Sequence, residues 1–175
     1  DDKRAAELCT EACDGYLDIA CSKLVAFYAN GIGVPKDQKK AFEIADQACR
    51  EDEALGCYDE GMLYQQGHGV ELDMKRAAEA FDQACKGGRM EGCTELGTQY
   101  ALGQGVARDA KRAAELFDTA CTADDAGGCT LLGLATLHGD GVSADRGRAV
   151  ELLKKGCKGG EHQACETLSS LGESP

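Results

Sequence analysis

A period of 36 residues constrains this chain more than any other feature. Asp1, Asp37, Asp73, Asp109 and Asp145 are each 36 apart, and Ala5, Ala41, Ala77, Ala113 and Ala149 keep the same interval. Gly31-x-Gly33-Val34 recurs as Gly67-x-Gly69-Val70, Gly103-x-Gly105-Val106 and Gly139-x-Gly141-Val142. A period in the range of roughly 20–50 residues marks a repeat array, because one such unit cannot bury its own apolar face and must stack on its neighbours. The 175 residues therefore read as one short array of stacked units.

Each unit reads as two helices. The stretch 93–100 is a helix A, in which Leu96, Gly97 and Tyr100 share one face and Gly97, without a Cβ, permits close helix contact. The G-x-G-V turn ends helix A, since Gly tolerates the left-handed cap. Asp109 then stands where a helix start favours an acid, and Lys111–Cys121 is a helix B with Ala113, Leu116, Phe117 and Ala120 as its apolar stripe. Only 2 prolines interrupt the chain, and with 5% aromatics the core must be built from small residues.

The pattern L-G-x-x-Y-x-x-G-x-G-V-x-x-D-x-x-(K/R)-A resembles that of the Sel1-like repeats, relatives of tetratricopeptide repeats. Leu96, Gly97, Tyr100, Gly103, Gly105, Val106, Asp109, Arg112 and Ala113 match it in order. The resemblance implies an all-α fold, an α/α solenoid with one disulfide per repeat whose ten helices wind as a right-handed superhelix. Its boundaries are a half-repeat at 1–20, repeats at 21–56, 57–92, 93–128 and 129–164, and a terminal helix at 165–175 within a single domain 1–175. Three positions depart from the pattern: Val25 for the small Gly, Glu60 for Leu and Thr136 for Tyr. The chain opens on a helix B at Asp1 instead of Met, which reads as a processed chain or part of a longer one.

The cysteines follow the same period. Ten of the 11 form C-x7-C pairs: Cys13–Cys21, Cys49–Cys57, Cys85–Cys93, Cys121–Cys129 and Cys157–Cys165. Residues eight apart on one straight helix lie about 12 Å apart and cannot bridge. The first Cys ends helix B and the second starts the next helix A, so a hairpin brings them within disulfide reach, with the stretches 86–88 and 124–128 as turns. Metal binding is the rival reading, but zinc wants four ligands together and these pairs are a repeat apart, without histidines. Reduced structural thiols are the third. Such bridges persist in an oxidising compartment, which points to a secreted or periplasmic protein, with the mitochondrial intermembrane space as the alternative. Cys9 is left as a free thiol, at the position of Phe81, Phe117 and Leu153. It packs as a small hydrophobe or, exposed, reacts.

Charge and apolar runs exclude other classes. The net charge is −12, so the chain is no nucleic-acid binder, and no apolar run approaches the ~18 residues of a membrane span. The cysteine-rich branch of the family, resembling the Helicobacter cysteine-rich proteins, brings in a penicillin-binding or β-lactamase-like hydrolase as an alternative activity. That chemistry wants S-x-x-K, whereas Ser22, Ser143, Ser169 and Ser170 have Val25, Arg146, Gly172 and Glu173 three residues on. His68, His138 and His162 are scattered surface positions, no haem-ligand pair supports a cofactor-handling role, and neither metal nor cofactor is expected.

Recognition of a protein or peptide is the leading reading, since solenoids line one surface with one helix of each repeat. By analogy with tetratricopeptide arrays that helix is A. Its positions not used for packing form a ladder: Lys23, Phe27 and Asn30, then Tyr58, Asp59, Met62 and Gln66. The ladder continues with Thr94, Glu95, Thr98 and Gln99, and with Thr130, Leu131 and Leu134. Helix B repeats the same Lys/Arg/Glu surface in each unit, as in Lys75-Arg76 with Glu79 and Lys111-Arg112 with Glu115, which reads as solvation.

Overall fold

Repeating caps, more than propensity, set where each B helix begins and where the A helices before the G-x-G turns end. The computed structural model describes residues 1–15 and 18–174. It divides into two compact units, Asp1–Arg89 and Met90–Pro175. The first holds α1 (Asp2–Asp14), α2 (Asp18–Asn30), α3 (Gln38–Arg50), α4 (Ala54–Gln66) and α5 (Met74–Lys86). The second holds α6 (Met90–Leu102), α7 (Ala110–Thr122), α8 (Ala126–His138), α9 (Arg146–Lys158) and α10 (His162–Ser170). No strand occurs among the described residues. The odd-numbered helices are the B helices and the even-numbered ones the A helices.

Every B helix starts on the periodic aspartate. The carboxylates of Asp1, Asp37, Asp73, Asp109 and Asp145 accept from backbone N–H groups of the first turn, in Lys3, Lys40, Lys75 with Arg76, Arg112 and Arg148. Asp37, Asp73, Asp109 and Asp145 also clamp the preceding turn. Their N–H groups donate to the carbonyls of Tyr28, Tyr64, Tyr100 and Thr136 at 2.8, 3.1, 2.9 and 3.0 Å. Only the backbone of that position is needed, so Thr136 keeps the turn; its buried hydroxyl donates to the Leu132 carbonyl at 2.7 Å. The tyrosines add contacts to the Lys/Arg of the motif: Lys40 Nζ lies 4.4 Å from the Tyr28 ring centre, and Arg76 Nη1 donates to Tyr64 Oη at 3.1 Å. Where Thr136 removes the phenol, Arg148 turns to Asp118 at 3.4 Å.

The second glycine of each turn has two roles. Gly33, Gly69 and Gly141 take φ of 70°, 77° and 74°, and a Cβ on them would overlap the carbonyls of Asp2, Gln38 and Ala110 at the start of an earlier B helix. The turn thus packs onto the neighbouring repeat through bare backbone.

Within each pair, small residues on A receive large ones from B. A Cβ on Gly61 or Gly97 would meet the Phe81 or Phe117 ring at 2.6 Å, and one on Gly133 would meet Leu153 at 2.9 Å. In the first full repeat the sizes are exchanged: Val25 occupies the glycine position and buried Ala45 the phenylalanine position, in one cluster with Ala41 and Leu63. The departure at Val25 is therefore compensated across the helix pair.

The disulfides close the turns from B to A. Cys13–Cys21, Cys49–Cys57, Cys121–Cys129 and Cys157–Cys165 are bonded with Cα separations of 4.7, 4.3, 4.4 and 4.8 Å, and Cys85 and Cys93 are disulfide-bonded as well. The A helices begin three residues before their cysteine, a turn earlier than the sequence reading placed them. Ala126–Gly128 are thus helical, and Asp125 caps α8 by accepting from the Gly128 N–H at 2.6 Å. The tight turns need a left-handed residue, supplied by Asp52 (φ 62°), Gly88 (92°), Asp124 (63°) and Gly160 (98°).

Candidate peptide-binding faces

The A helices α2 and α4 touch in the first unit and α6 and α8 in the second, whereas neither α8 and α10 nor α7 and α9 pack together to a comparable extent. The ladder positions on adjacent A helices are thereby brought side by side.

In the first unit Lys23, Asn30 and Gln66 are exposed, and Phe27, Tyr58, Asp59 and Met62 are half-buried. The Tyr58 ring leans on Phe81 with centres 5.9 Å apart, and the Arg89 guanidinium lies 5.6 Å from its centre. Burial pushes the Asp59 carboxyl up to about 6, and the Asp18 carboxylate adds to the rise; the hydrogen bond from Ser22 and the Arg89 charge oppose it. Glu60, at the position of Leu96 and Leu132, is pushed up to about 7 by burial and by Asp46, with Arg50 and Arg76 pulling the other way. Arg50 is itself bonded to Asp46 at 2.9 Å, and Arg76 is engaged by Tyr64.

In the second unit the ladder separates into two sets. Thr98, Leu131 and Leu134 are half-exposed, and Glu95 is partly exposed beside them. Gln99 is 1% exposed and Thr130 2%, so both are turned away from solvent. Thr130 is held inward because its hydroxyl donates to the Ala126 carbonyl at 2.8 Å and fills the space that Gly156 leaves open. Thr94 is committed too, donating to the Asp125 carboxylate at 2.7 Å.

Between these helices lies a groove of about 360 Å³. Thr98, Ala101 and Leu102 of α6 form one wall, Leu131, Leu134 and His138 of α8 the other, and Ala113, Ala114 and Phe117 of α7 the floor. Ala101, Leu102, Arg108 and His138 were not on the ladder read from sequence. Leu102, an apolar residue next to a turn and 60% exposed, was the available signal. No group of three or more His, Cys, Asp or Glu side chains could hold a metal ion among the described residues. Cys9 is unbonded and half-buried beside Leu8, Ala12 and Ile19.

Antiparallel helix pairs at a fixed period, each stapled by a disulfide, define an α/α repeat scaffold of the tetratricopeptide type. The particular family is equally plain: the Sel1 repeat matches residues 19–53, 54–88, 91–125 and 126–161, and the chain belongs to it. No curated protein matches the chain. Among solved structures, a Sel1 repeat protein from Oxalobacter formigenes is similar at TM-score 0.90 and 27% identity, over 98% of this chain and 70% of that one. A protective antigen of uropathogenic Escherichia coli displaying the same repeat fold is similar at 0.85 and 25%, over 97% of this chain and 36% of that one. Cysteine rich protein B of Helicobacter pylori is similar at 0.61 and 30%, over 76% of this chain and 96% of that one.

Proposed function

We propose that the chain is a protein- or peptide-binding scaffold that works outside the cytoplasm, secreted or periplasmic. The observation that carries this is the contrast between the two kinds of helix. The B helices spend their apolar face on packing and repeat one charged surface, whereas the A helices touch in pairs and present side chains that differ from repeat to repeat. A surface that reads a ligand varies in this way; a solvated one stays the same. The disulfides persist where thiols are oxidised, and no helix is long and apolar enough to cross a membrane among the described residues.

The test is capture from the native envelope fraction by the oxidised chain, with mass spectrometry and paired variants. Lys23→Glu with Gln66→Lys, or Glu95→Lys with Thr98→Lys, should weaken capture while the melting temperature stays nearly unchanged. Loss of capture on reversing Lys75 and Lys111, with the A-helix pairs silent, would place the surface on the B helices and defeat the reading.

A further inference from the structure

We infer that the groove of the second unit takes an apolar side chain of a positively charged peptide, a Leu- or Phe-sized anchor flanked by Lys or Arg. This rests on the scaffold reading and narrows it to one site and one ligand chemistry. The groove is of ligand-pocket size at about 360 Å³, where such pockets run from roughly 300 to 1,000 Å³. Its floor is Ala113, Ala114 and Phe117, and Leu134 and the largely exposed Leu102 stand on opposite walls. A side chain seated there removes apolar surface from water on both partners.

The charge of the partner follows from how this unit sorts its ions. Helices α6, α8 and α10 contain no Lys or Arg, and their acidic residues are Glu91, Glu95 and Glu166. The cations of the unit lie on α7 and α9, apart from Arg108 in the turn after α6. Arg108 is committed to that turn, its Nε donating to the Ala101 carbonyl at 3.0 Å. Arg108 and the Asp140 carboxylate thus stand together on the groove's rim with opposite charges, and His138 completes the wall. A segment lying across α6 and α8 therefore meets an apolar slot between two helices that carry no Lys or Arg. The chain's net charge of −12 steers cationic partners toward it and repels anionic ones.

The equivalent positions of the first unit argue that the slot is particular to the second. Asn30 stands in register with Leu102, Asp59 with Leu131, Met62 with Leu134, and Lys23 with Glu95. That face carries Asn30 and Asp59 where the second unit carries leucines, and a cation where the second unit carries an acid.

The experiment is fluorescence anisotropy on the full oxidised chain with three labelled decapeptides. One has leucine and phenylalanine between lysines, one has the lysines exchanged for glutamates, and one has the apolar pair exchanged for serines. The first should bind, weaken as salt rises, and bind at least tenfold more tightly than either of the others. Leu134→Ser and Leu102→Ser should each weaken it about fivefold or more, and by more than Met62→Ser in the first unit, while Leu72→Ser on the first unit's exposed turn should leave it unchanged. Leu102 is exposed enough that its variant folds even if that of Leu134 does not. Equal binding of the glutamate peptide, or no binding of any peptide, overturns the inference. So does a loss confined to Met62→Ser, which moves the site to the first unit and leaves the scaffold reading intact. Envelope capture that fails with every A-helix variant silent defeats the scaffold reading itself.

Discussion

The two units carry the same frame and opposite faces. Each is capped by periodic aspartates and glycines and closed by the same eight-residue cysteine spacing. Yet where the second has Leu131 and Leu134 above an alanine floor, the first has Asp59 and Met62, with Glu60 beside them at a position that is leucine in the other repeats. Burial raises both carboxyls of the first unit, Asp59 to about 6 and Glu60 to about 7. The difference teaches that the repeat specifies backbone and stapling, while the positions between the motif residues are released to differ in chemistry.

The largest effect is expected at the packing of A against B. Phe117→Ala in the second unit opens a cavity opposite Gly97 and should cost about 3–5 kcal/mol by denaturant unfolding. In the first unit Ala45→Phe should also destabilise, by about 1–3 kcal/mol, because Val25 already fills the space. Adding Val25→Gly should recover much of that loss; no recovery would show that the exchange of sizes is not a compensated pair.

The staples should come next, and alike in both units. Replacing Cys49 and Cys57 by alanine, or Cys121 and Cys129, opens loops of equal length. Each pair should lower stability by roughly 2–3 kcal/mol in the chain-entropy account. A clear inequality between the two pairs would mean that the frames are not equivalent.

A smaller effect separates the faces. The folded-state value of Glu60, about 7, lies above its ordinary 4.5, so its contribution is fully present below pH 4.5 and is lost as pH rises through 7. Glu60→Gln should therefore leave stability unchanged at pH 4 and raise it above pH 7 by about 1 kcal/mol, a figure discounted for solvent screening because the group is partly exposed. Glu60→Leu should raise it further. A stability difference of the opposite sign at pH 8 would mean that Arg50 and Arg76 dominate. The smallest effect is at the left-handed turn residues. Asp124→Gly relieves the backbone cost at φ 63° at some expense in chain entropy, for a net gain under about 1 kcal/mol in the melting curve, and Asp52→Gly should match it.

The array was legible because its signals are local and repeated. Aspartate at a helix start, G-x-G after a helix and cysteines eight apart each act through the nearest backbone, so the helix pairs and their staples follow from spacing. The A-helix starts were displaced by one turn, since the cap at Asp125 lies before the cysteine and no residue in the pattern advertises it. Of the ladder, Phe27, Met62, Thr98 and Leu134 do reach the surface at least in part, whereas Gln99 and Thr130 turn inward. A helical face is only about a third of a turn wide, and which edge of it is covered depends on the neighbouring helix.

The order of residues alone establishes that this chain stacks helix pairs at a period of 36 residues, where the B helices are capped, and which cysteines can meet. Only the tertiary structure decided that Val25 is answered by Ala45, that Thr130 occupies the space over Gly156, and that Ala101, Ala113 and Ala114 leave a groove between three helices. The reason is physical. A cap or a turn is made by residues adjacent in the chain, whereas a groove is the space left between elements, and small residues declare it only when their neighbours are in place.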